Sequence, residues 1–327
     1  MKKKLININR LLFPSRKGDR SMKRKSMQST IKMTAAGAAT LILGAALPAF
    51  AAIGPSSSQT PYLNGVAAGV EFTSILTVGD EVKKKHKGNE TYRMVGITDG
   101  LGAYDNHDGT ITVLMNHELR NTLGVPRAHG GIGAFVSNWQ IRKSDLKVLK
   151  GEDLIQKVML WDPATESYVD GSGTAFNRFC AAELAPRGAF FNKETGKGFS
   201  EGRIFMNGEE NDGGRAFAHV AAGRQQGTSY ELPKMGKAAW ENAVASPFAQ
   251  DKTIVAGLDD GNLNASKVYF YVGEKMEDGS PVDMAGLTNG MSYEMAMTVT
   301  PSSRMRSTRF RTVLPAASRW WPPAAPV

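Results

Sequence analysis

The sequence predicts an all-β fold of the propeller type, and three patterns support this prediction. Short apolar segments with a period of two alternate with turns rich in Gly and Asp along most of the chain. Long amphipathic helical segments are scarce, which disfavours helical and α/β classes. Sandwiches and barrels share these two patterns, but several strand–turn–strand units end in Trp-Asp or Asp-Gly, which favours a β-propeller, although no fixed-period repeat accompanies them.

The first 51 residues have the organisation of a secretory signal peptide. A basic segment at 22–32 precedes an apolar run, and the Ala-Phe-Ala sequence at 49–51 places small residues where cleavage occurs. Met22 is an alternative start, and a membrane anchor is the alternative to cleavage, because the run approaches spanning length. We expect an exported protein, periplasmic or extracellular, with no stable membrane anchor after cleavage. Residues 52–65, rich in Ser, Pro and Gly, are predicted to be a linker.

Residues 66–302 are predicted to form the β-domain. The segment 109–118 alternates Ile, Val and Met with Thr, and the Asp-Gly pair at 108–109 indicates a hairpin turn in front of it. Further strands are predicted at 136–151 (two strands and a polar turn), 157–163, 202–208, 252–260, 267–274 and 292–300. The segment 234–246 is the best candidate for a helix, and it is short.

The two ends of the chain carry most of its positive charge. The sequence has 40 Lys and Arg against 31 Asp and Glu, but residues 1–51 hold 11 of the bases with one acid, and residues 304–327 hold five Arg and no acid. The body, 52–303, therefore carries 24 bases and 30 acids, which disfavours nucleic acid as a partner and favours cations. Residues 303–327, basic and Pro-rich, show neither strand nor helix periodicity. We expect an aberrant tail from truncation or a frameshift, with an ordinary basic tail as the alternative.

Carboxylates recur where the predicted strands end. Massed carboxylates repel one another and lose hydration, so they need compensation, and a hard cation that binds several oxygens supplies it. The obvious nearby bases, Arg120, Arg203 and Arg215, are too few to pair with all of them. Two adjacent glutamates are no turn signature, whereas the two aspartates before Gly261 also fit an ordinary turn. The candidate metal ligands are Glu118, Glu209, Glu210, Glu241, Asp259 and Asp260.

Cys180 is the one cysteine of the chain, so an intrachain disulfide is excluded. It is either a small buried hydrophobe or a metal thiolate. Local motifs do not decide between these, because the sequence lacks an EF-hand loop, a zinc-binding H-E-x-x-H helix, a phosphate-binding P-loop and a G-x-S-x-G nucleophile turn. The scattered histidines are interpreted as surface or hydrogen-bonding residues.

Five segments together resemble the PhoX-type secreted alkaline phosphatases. The resemblance covers residues 65–300, and its carriers are MNHEL (115–119), NRFCAAELAP (177–186), IFMNGEEN (204–211), WENAV (240–244) and VAGLDDGNLNASKVYFYVG (255–273). It implies a six-bladed β-propeller with ferric iron and calcium on its axis, held by Glu, Asp and one Cys. It also implies hydrolysis of small phosphomonoesters outside the cytoplasm, and we expect a monomer.

Residue by residue, the resemblance implies that Cys180 is the iron-binding thiolate. Glu118, Glu209, Glu210 and Glu241 match the segments that offer carboxylates to the metals, and Asp259 and Asp260 match a later acidic segment. The sequence departs from the family at Gly208, where Cys precedes the paired acids, and the family continues past residue 300. The catalytic and substrate-contacting residues are not identified. Two alternatives stay open: a non-catalytic, calcium-stabilised propeller that binds a partner, and a calcium-dependent propeller lactonase or esterase.

Overall fold

Strands separated by tight turns account for most of the part of the chain described by the computed structural model, which comprises residues 51–85, 88–261, 266–296 and 309–312. Helical structure in these residues is confined to single turns, so the predicted all-β class is confirmed. Within the same residues, no helix is long and apolar enough to cross a membrane. The predicted signal peptide, apart from Ala51, and most of the predicted tail lie outside the described residues.

Two small sheets begin the described part of the chain. Strand β1 (Ala51–Ile53) pairs in parallel with β2 (Phe72–Ser74), and β3 (Glu81–Lys83) pairs antiparallel with β4 (Thr91–Arg93). The segment 52–65, predicted to be a linker, therefore begins with two residues of a strand.

A four-stranded antiparallel sheet follows in simple up-and-down order. It consists of β5 (Thr98–Asp105), β6 (Thr110–His117), β7 (Phe135–Arg142) and β8 (Val148–Asp153). The predicted hairpin joins β5 and β6, and Gly109 in its turn has a φ of 87°, a conformation that glycine adopts without steric cost. The three strands predicted within 109–151 are thereby confirmed.

The next strands belong to a larger mixed sheet. They are β9 (Lys157–Asp162), β10 (Ser167–Asp170), β11 (Glu183–Leu184), β12 (Arg203–Gly208), β13 (Glu210–Ala222) and β14 (Thr228–Glu231). Their order is β10-β9-β14-β13, while β12 also pairs with β13 and β11 pairs with β12. A helical turn, α1 (Arg187–Phe190), lies between β11 and β12. The predicted strands at 157–163 and 202–208 are confirmed.

The same sheet continues through a second antiparallel meander. Its strands are β15 (Lys237–Ala245), β16 (Lys252–Asp259), β17 (Val268–Glu274), β18 (Met291–Ala296) and β19 (Arg309–Thr312). The helical turn α2 (Pro281–Met284) precedes β18 and begins with a capping box between Ser280 and Asp283. Strand β19 lies in the segment 303–327, for which the sequence predicted no strand, so that expectation is wrong for these four residues.

The helix predicted at 234–246 is wrong. A single 3-10 turn occupies Pro233–Met235, Gly236 follows with a φ of 93°, and β15 occupies the rest. The alanines of this segment favour a helix intrinsically, but β15 lies between β13 and β16 and is buried on both faces. Tertiary pairing therefore overrides local propensity here.

Three apolar clusters hold the sheets together. One packs the four-stranded sheet on β3 and β4 through Trp139, Tyr92 and Val82. A second, rich in phenylalanine, joins the four-stranded sheet to β12 and β13. The third packs the larger sheet around Trp240 and Tyr271. The meanders β5–β8 and β15–β18 have the antiparallel four-stranded form of propeller blades, so the fold is propeller-like.

Candidate metal centre

Four carboxylates converge on the thiol of Cys180. Its Sγ lies 3.4 Å from Glu241 Oε2 and 3.7 Å from Asp99 Oδ2. Cys180 forms one group of mutually close ligand atoms with Asp99 and Glu118, and another with Glu210 and Glu241; within each group the atoms lie within 4.8 Å of one another. The site thus draws on five segments separated by up to 142 positions of the chain, from residue 99 to 241.

Irregularities in strand pairing direct three of these acids into the site. The register of the β5–β6 pair shifts between Thr98 and Leu101, where Asp99 lies. The register of the β13–β15 pair shifts immediately after Glu210, and that of the β15–β16 pair shifts at Glu241. A β-bulge turns a side chain out of the regular alternation of a strand and commonly lies beside a functional site. The bulges therefore explain how acids from separate strands meet.

Trp240 fixes the bulge that carries Glu241. Its indole is 1% exposed and donates from Nε1 to the Gly214 carbonyl at 3.1 Å. Gly208 and Gly257 lie against the ring, and a Cβ built on either would approach the tryptophan side chain to 2.5 Å. Only residues without a side chain leave room for the indole, so these glycines allow Trp240 to anchor the strand next to Glu241.

Arg178 bridges two of the acids. Its Nη2 lies 2.8 Å from Glu118 Oε1 and 2.7 Å from Glu210 Oε2, and its Nη1 donates to the Glu210 carbonyl. Arg178 has a φ of 53°, which costs a non-glycine residue about 1 kcal/mol and brings its side chain into the acidic cluster. With all four acids ionised, one guanidinium leaves three negative charges without compensation from this residue.

The cluster disfavours ionisation of its most buried members. Burial raises the pKa of the Cys180 thiol, and the hydrogen bond to Glu241 and the charge of Asp99 act in the same direction. Burial also raises the pKa of Glu210; repulsion from Glu118 adds to the effect, and Arg178 opposes it. A multivalent cation reverses these tendencies, because it stabilises both thiolate and carboxylate.

The donor set fits the metals that the sequence resemblance implies. Carboxylate oxygens are hard ligands that suit calcium and ferric iron, whereas a thiolate suits iron and is foreign to calcium sites. Cys180 with Asp99, Glu118, Glu210 and Glu241 could therefore hold iron at the sulfur and calcium among the oxygens. The excess negative charge and the raised thiol pKa both agree with a site that needs cations.

Glu209 does not join the cluster, although the sequence predicted it as a ligand. Its carboxylate receives two hydrogen bonds from the Arg215 guanidinium, at 2.8 and 2.9 Å, and one each from the Arg215 and Asn177 backbone amides. Adjacent residues of an extended chain project to opposite faces, so Glu209 turns away from the site when Glu210 turns towards it. Arg215, one of the nearby bases noted in the sequence, therefore neutralises Glu209 in a buried ion pair that lies outside the acidic cluster.

Asp259 and Asp260 also lie outside the two ligand groups. Asp259 accepts a hydrogen bond from the Ala239 amide at 3.1 Å, and the Asp260 amide donates to the Ala239 carbonyl at 2.8 Å. Burial raises the pKa of Asp259, and the charge of Asp212 adds to the shift. Both hydrogen bonds are with β15, so the pair lies at the end of β16 beside Ala239.

Sequence reasoning missed Asp99 and Arg178. The hairpin at Asp108-Gly109 contains the signal for Asp99, since counting back from the turn in regular register brings Asp99 opposite His117 and therefore next to Glu118. The register shift between Thr98 and Leu101 then pairs Thr98 with His117. Arg178 has no such signal, because its left-handed backbone and its contacts depend on the tertiary structure. Of the bases considered from the sequence, Arg203 instead donates to the Ala185 carbonyl.

Comparison with known proteins gives one structural likeness to report. This chain is similar to "Pseudomonas fluorescens PhoX in complex with vanadate, a transition state analogue", with a TM-score of 0.37 and 11% sequence identity. The similarity covers 61% of this chain and 45% of that chain, so the present sequence spans less than half of that protein. No family model and no curated protein matches. The fold assignment therefore depends on the strand topology described above.

Proposed function

We propose that this chain is a metal-dependent phosphomonoesterase that uses an iron and calcium centre at Cys180. The observation that carries the proposal is the convergence of four carboxylates and a thiol from five separate segments. A purely structural role does not account for it, because like charges that gather around a half-buried thiol destabilise the apo protein. The resemblance of the segments around Glu118, Cys180, Glu210 and Glu241 to PhoX-type phosphatases supplies the reaction class.

The five residues of the cluster are proposed to hold cations. When bound, ferric iron and calcium supply positive charge at the phosphate oxygens and lower the pKa of a water nucleophile. Glu210 and Glu241 would hold a cation together with Cys180, and Asp99 and Glu118 would hold one in the second ligand group. Cys180 would hold a metal as its thiolate, and Glu241 Oε2, 3.4 Å from Sγ, is the nearest carboxylate oxygen to its thiol proton.

Arg178 is the proposed contact for the substrate phosphate. Its side chain is 37% exposed, so it reaches solvent at the edge of the cluster while it remains hydrogen-bonded to Glu118 and Glu210. A guanidinium presents several N–H donors in one plane and matches the oxygens of a phosphate. Arg178 thus orients two acids and leaves donor capacity for an anionic substrate.

The thiol favours this function over the two alternatives. A calcium-stabilised binding module and a calcium-dependent lactonase both need oxygen ligands, and neither needs sulfur at the centre of the site. Cys180 lies within hydrogen-bonding range of two acids at that centre. Export to the periplasm or the extracellular space, a monomeric state and a small phosphorylated substrate belong to the same proposal.

The test combines metal analysis with activity. Purified protein is assayed for iron and calcium and for metal-dependent release of p-nitrophenol from p-nitrophenyl phosphate. We expect both metals and phosphatase activity, and we expect Cys180→Ser to lose the visible absorption of a thiolate–iron bond together with the activity. Glu194→Gln, which changes an exposed glutamate outside both ligand groups, is the matched control. Metal-free protein, or lactone hydrolysis without phosphatase activity, would contradict the proposal.

A further inference from the structure

A line of four buried polar side chains ends on the backbone of Cys180. Ser229 Oγ lies 2.7 Å from His219 Nδ1, and His219 Nε2 lies 2.8 Å from Asn207 Oδ1. Asn207 Nδ2 donates to Asn116 Oδ1 at 2.9 Å, and Asn116 Nδ2 donates to the Cys180 carbonyl at 2.6 Å. We call these four side chains the buried network.

The Cys180 carbonyl fixes the direction of every hydrogen bond in this network. A carbonyl only accepts, so Asn116 must turn its NH₂ group towards it and its oxygen towards Asn207. Asn207 must then donate to Asn116 and accept from His219. The imidazole therefore carries its proton on Nε2, and its bare Nδ1 accepts from the Ser229 hydroxyl.

The network lies where an apolar core would be expected. Asn116, Asn207, His219 and Ser229 are each at most 1% exposed. The rings of Phe179, Phe205 and Phe217 surround His219 at centroid distances of 5.8–6.3 Å. Buried polar groups contribute little net stability over apolar packing, and each becomes costly when a partner is lost. Their retention inside a phenylalanine-rich cluster points to a role other than stability.

The carbonyl at the end of the network also positions a second ligand. It accepts a hydrogen bond from the Gly100 amide at 3.2 Å, so the residue after Asp99 is attached to the same oxygen as Asn116. A side chain at Gly100 would overlap the backbone of Ala182, which shows how closely the two segments approach. One carbonyl therefore sets the relative positions of Cys180 and Asp99.

We infer that the four side chains of the buried network, Asn116, Asn207, His219 and Ser229, are positioning residues. They hold Cys180 and Asp99 at fixed relative positions in the candidate metal centre. The inference rests on the proposed function for its consequence, because positioning of these two ligands matters for a metal centre. Groups that orient metal ligands through hydrogen bonds typically change metal affinity by about 10- to 100-fold when they are removed. The network therefore couples the interior of the phenylalanine-rich cluster to metal affinity.

The first test uses the unmodified protein and needs no metal. Long-range nitrogen–proton NMR correlations at neutral pH identify which ring nitrogen of His219 carries the proton. The polarity of the network requires the proton on Nε2. A proton on Nδ1 would overturn the inference, because Asn207 would then have to reverse its amide and leave Asn116 without a donor.

The second test breaks the network in its middle, at Asn207, and at its far end, at Ser229. Asn207→Leu leaves Asn116 Oδ1 without its donor and His219 Nε2 without its acceptor. Ser229→Ala removes only the donor to His219 Nδ1, so it keeps the test usable if the leucine variant does not fold. The matched control is Thr253→Val, which removes the buried hydroxyl that donates to the Ala285 carbonyl at 2.6 Å and has no link to Cys180. The readouts are the reaction rate of the single thiol with a chromogenic aromatic disulfide and the affinity for Co²⁺.

We expect Asn207→Leu to raise the thiol reaction rate and weaken Co²⁺ binding, each by about tenfold, with smaller effects of the same sign for Ser229→Ala. Thr253→Val should stay within about twofold of the wild type in both assays. Wild-type thiol rates in both network variants, or equal effects in the control, would overturn the inference. Absence of Co²⁺ binding by the wild-type protein counts against the proposed function, whereas the thiol rates and the His219 tautomer still test the network.

Discussion

The two adjacent glutamates offer the sharpest test of the site, because the structure assigns them different environments. Glu209, whose side chain is 7% exposed, is held by Arg215 in a two-bond ion pair. Glu210 contacts Arg178 and belongs to the ligand group with Cys180. Glu209→Gln should therefore reduce stability and leave metal content unchanged. Glu210→Gln should reduce metal content and leave stability nearly unchanged.

The magnitude follows from what each substitution leaves behind. Glutamine at 209 keeps one acceptor but turns an NH₂ group towards the guanidinium of Arg215, which is 21% exposed and cannot recover full hydration. Removal of one member of a buried ion pair costs about 3–5 kcal/mol, and the partial exposure of Arg215 places the expected loss near about 3 kcal/mol. At 210 the partner Arg178 is 37% exposed, and loss of the charge also relieves repulsion from Glu118, so the expected change is below about 1 kcal/mol.

The assay is urea unfolding of the metal-free proteins, paired with metal stoichiometry of the loaded proteins. Glu209→Gln should shift the unfolding midpoint to lower urea without a change in slope, since the exposed surface on unfolding stays the same. Glu210→Gln should keep the midpoint and lose bound metal. The reasoning is refuted if the two variants lose metal equally, or if Glu209→Gln is as stable as the wild type.

Three further predictions concern the rest of the fold. Burial lowers the pKa of His117 and of His219 to about 3. Between about pH 6.5 and about pH 3 the unfolded protein therefore binds protons at these residues that the folded protein does not bind, so stability should fall as the pH decreases through this range. Urea midpoints that stay constant across this range would contradict the prediction. Burial lowers the pKa of Lys275 to about 8, so the folded protein loses this proton at a lower pH than the unfolded protein does. Stability should therefore rise between about pH 8 and pH 10.5, by about 3 kcal/mol in total, and Lys275→Met should abolish this rise in the same measurement. Gly208→Ala should cost about 1–3 kcal/mol, because the new Cβ would lie 2.5 Å from Trp240 Cβ; thermal unfolding at wild-type temperature would show that the core adjusts.

Some strands were predictable from the alternation of apolar and polar residues or from the turns that bound them. Residues 109–118 and 252–260 alternate in this way or end in clear turn signals, and both form strands. The segment 234–246 was mistaken for a helix because β15 is buried on both faces and rich in alanine, which removes the alternation. The strand at 309–312 was missed because its pairing partner, β18, is needed to recognise it.

The candidate site was predictable to the extent that residue type carries the signal. Glu118, Glu210 and Glu241 were identified as acids where an apolar stretch stops, and Cys180 as the single thiol, and the fold brings them together. The sequence does not say which of two neighbouring acids faces inward, because a β-bulge changes the alternation at that point. Glu209 was therefore grouped with Glu210, and Asp99 was not considered because no strand was predicted at 98–105.

The distribution of the ligands also links metal binding to the assembly of the fold. Asp99 and Glu118 come from the four-stranded sheet, Glu210 and Glu241 come from the larger sheet, and Cys180 lies on the segment between them. Neither sheet alone offers all five donors, so the complete proposed centre forms only after the two sheets have docked. Binding that is confined to the folded state adds its free energy to the stability of that state. The acidic repulsion that opposes docking in the metal-free protein is thus removed by the same event that completes the proposed centre.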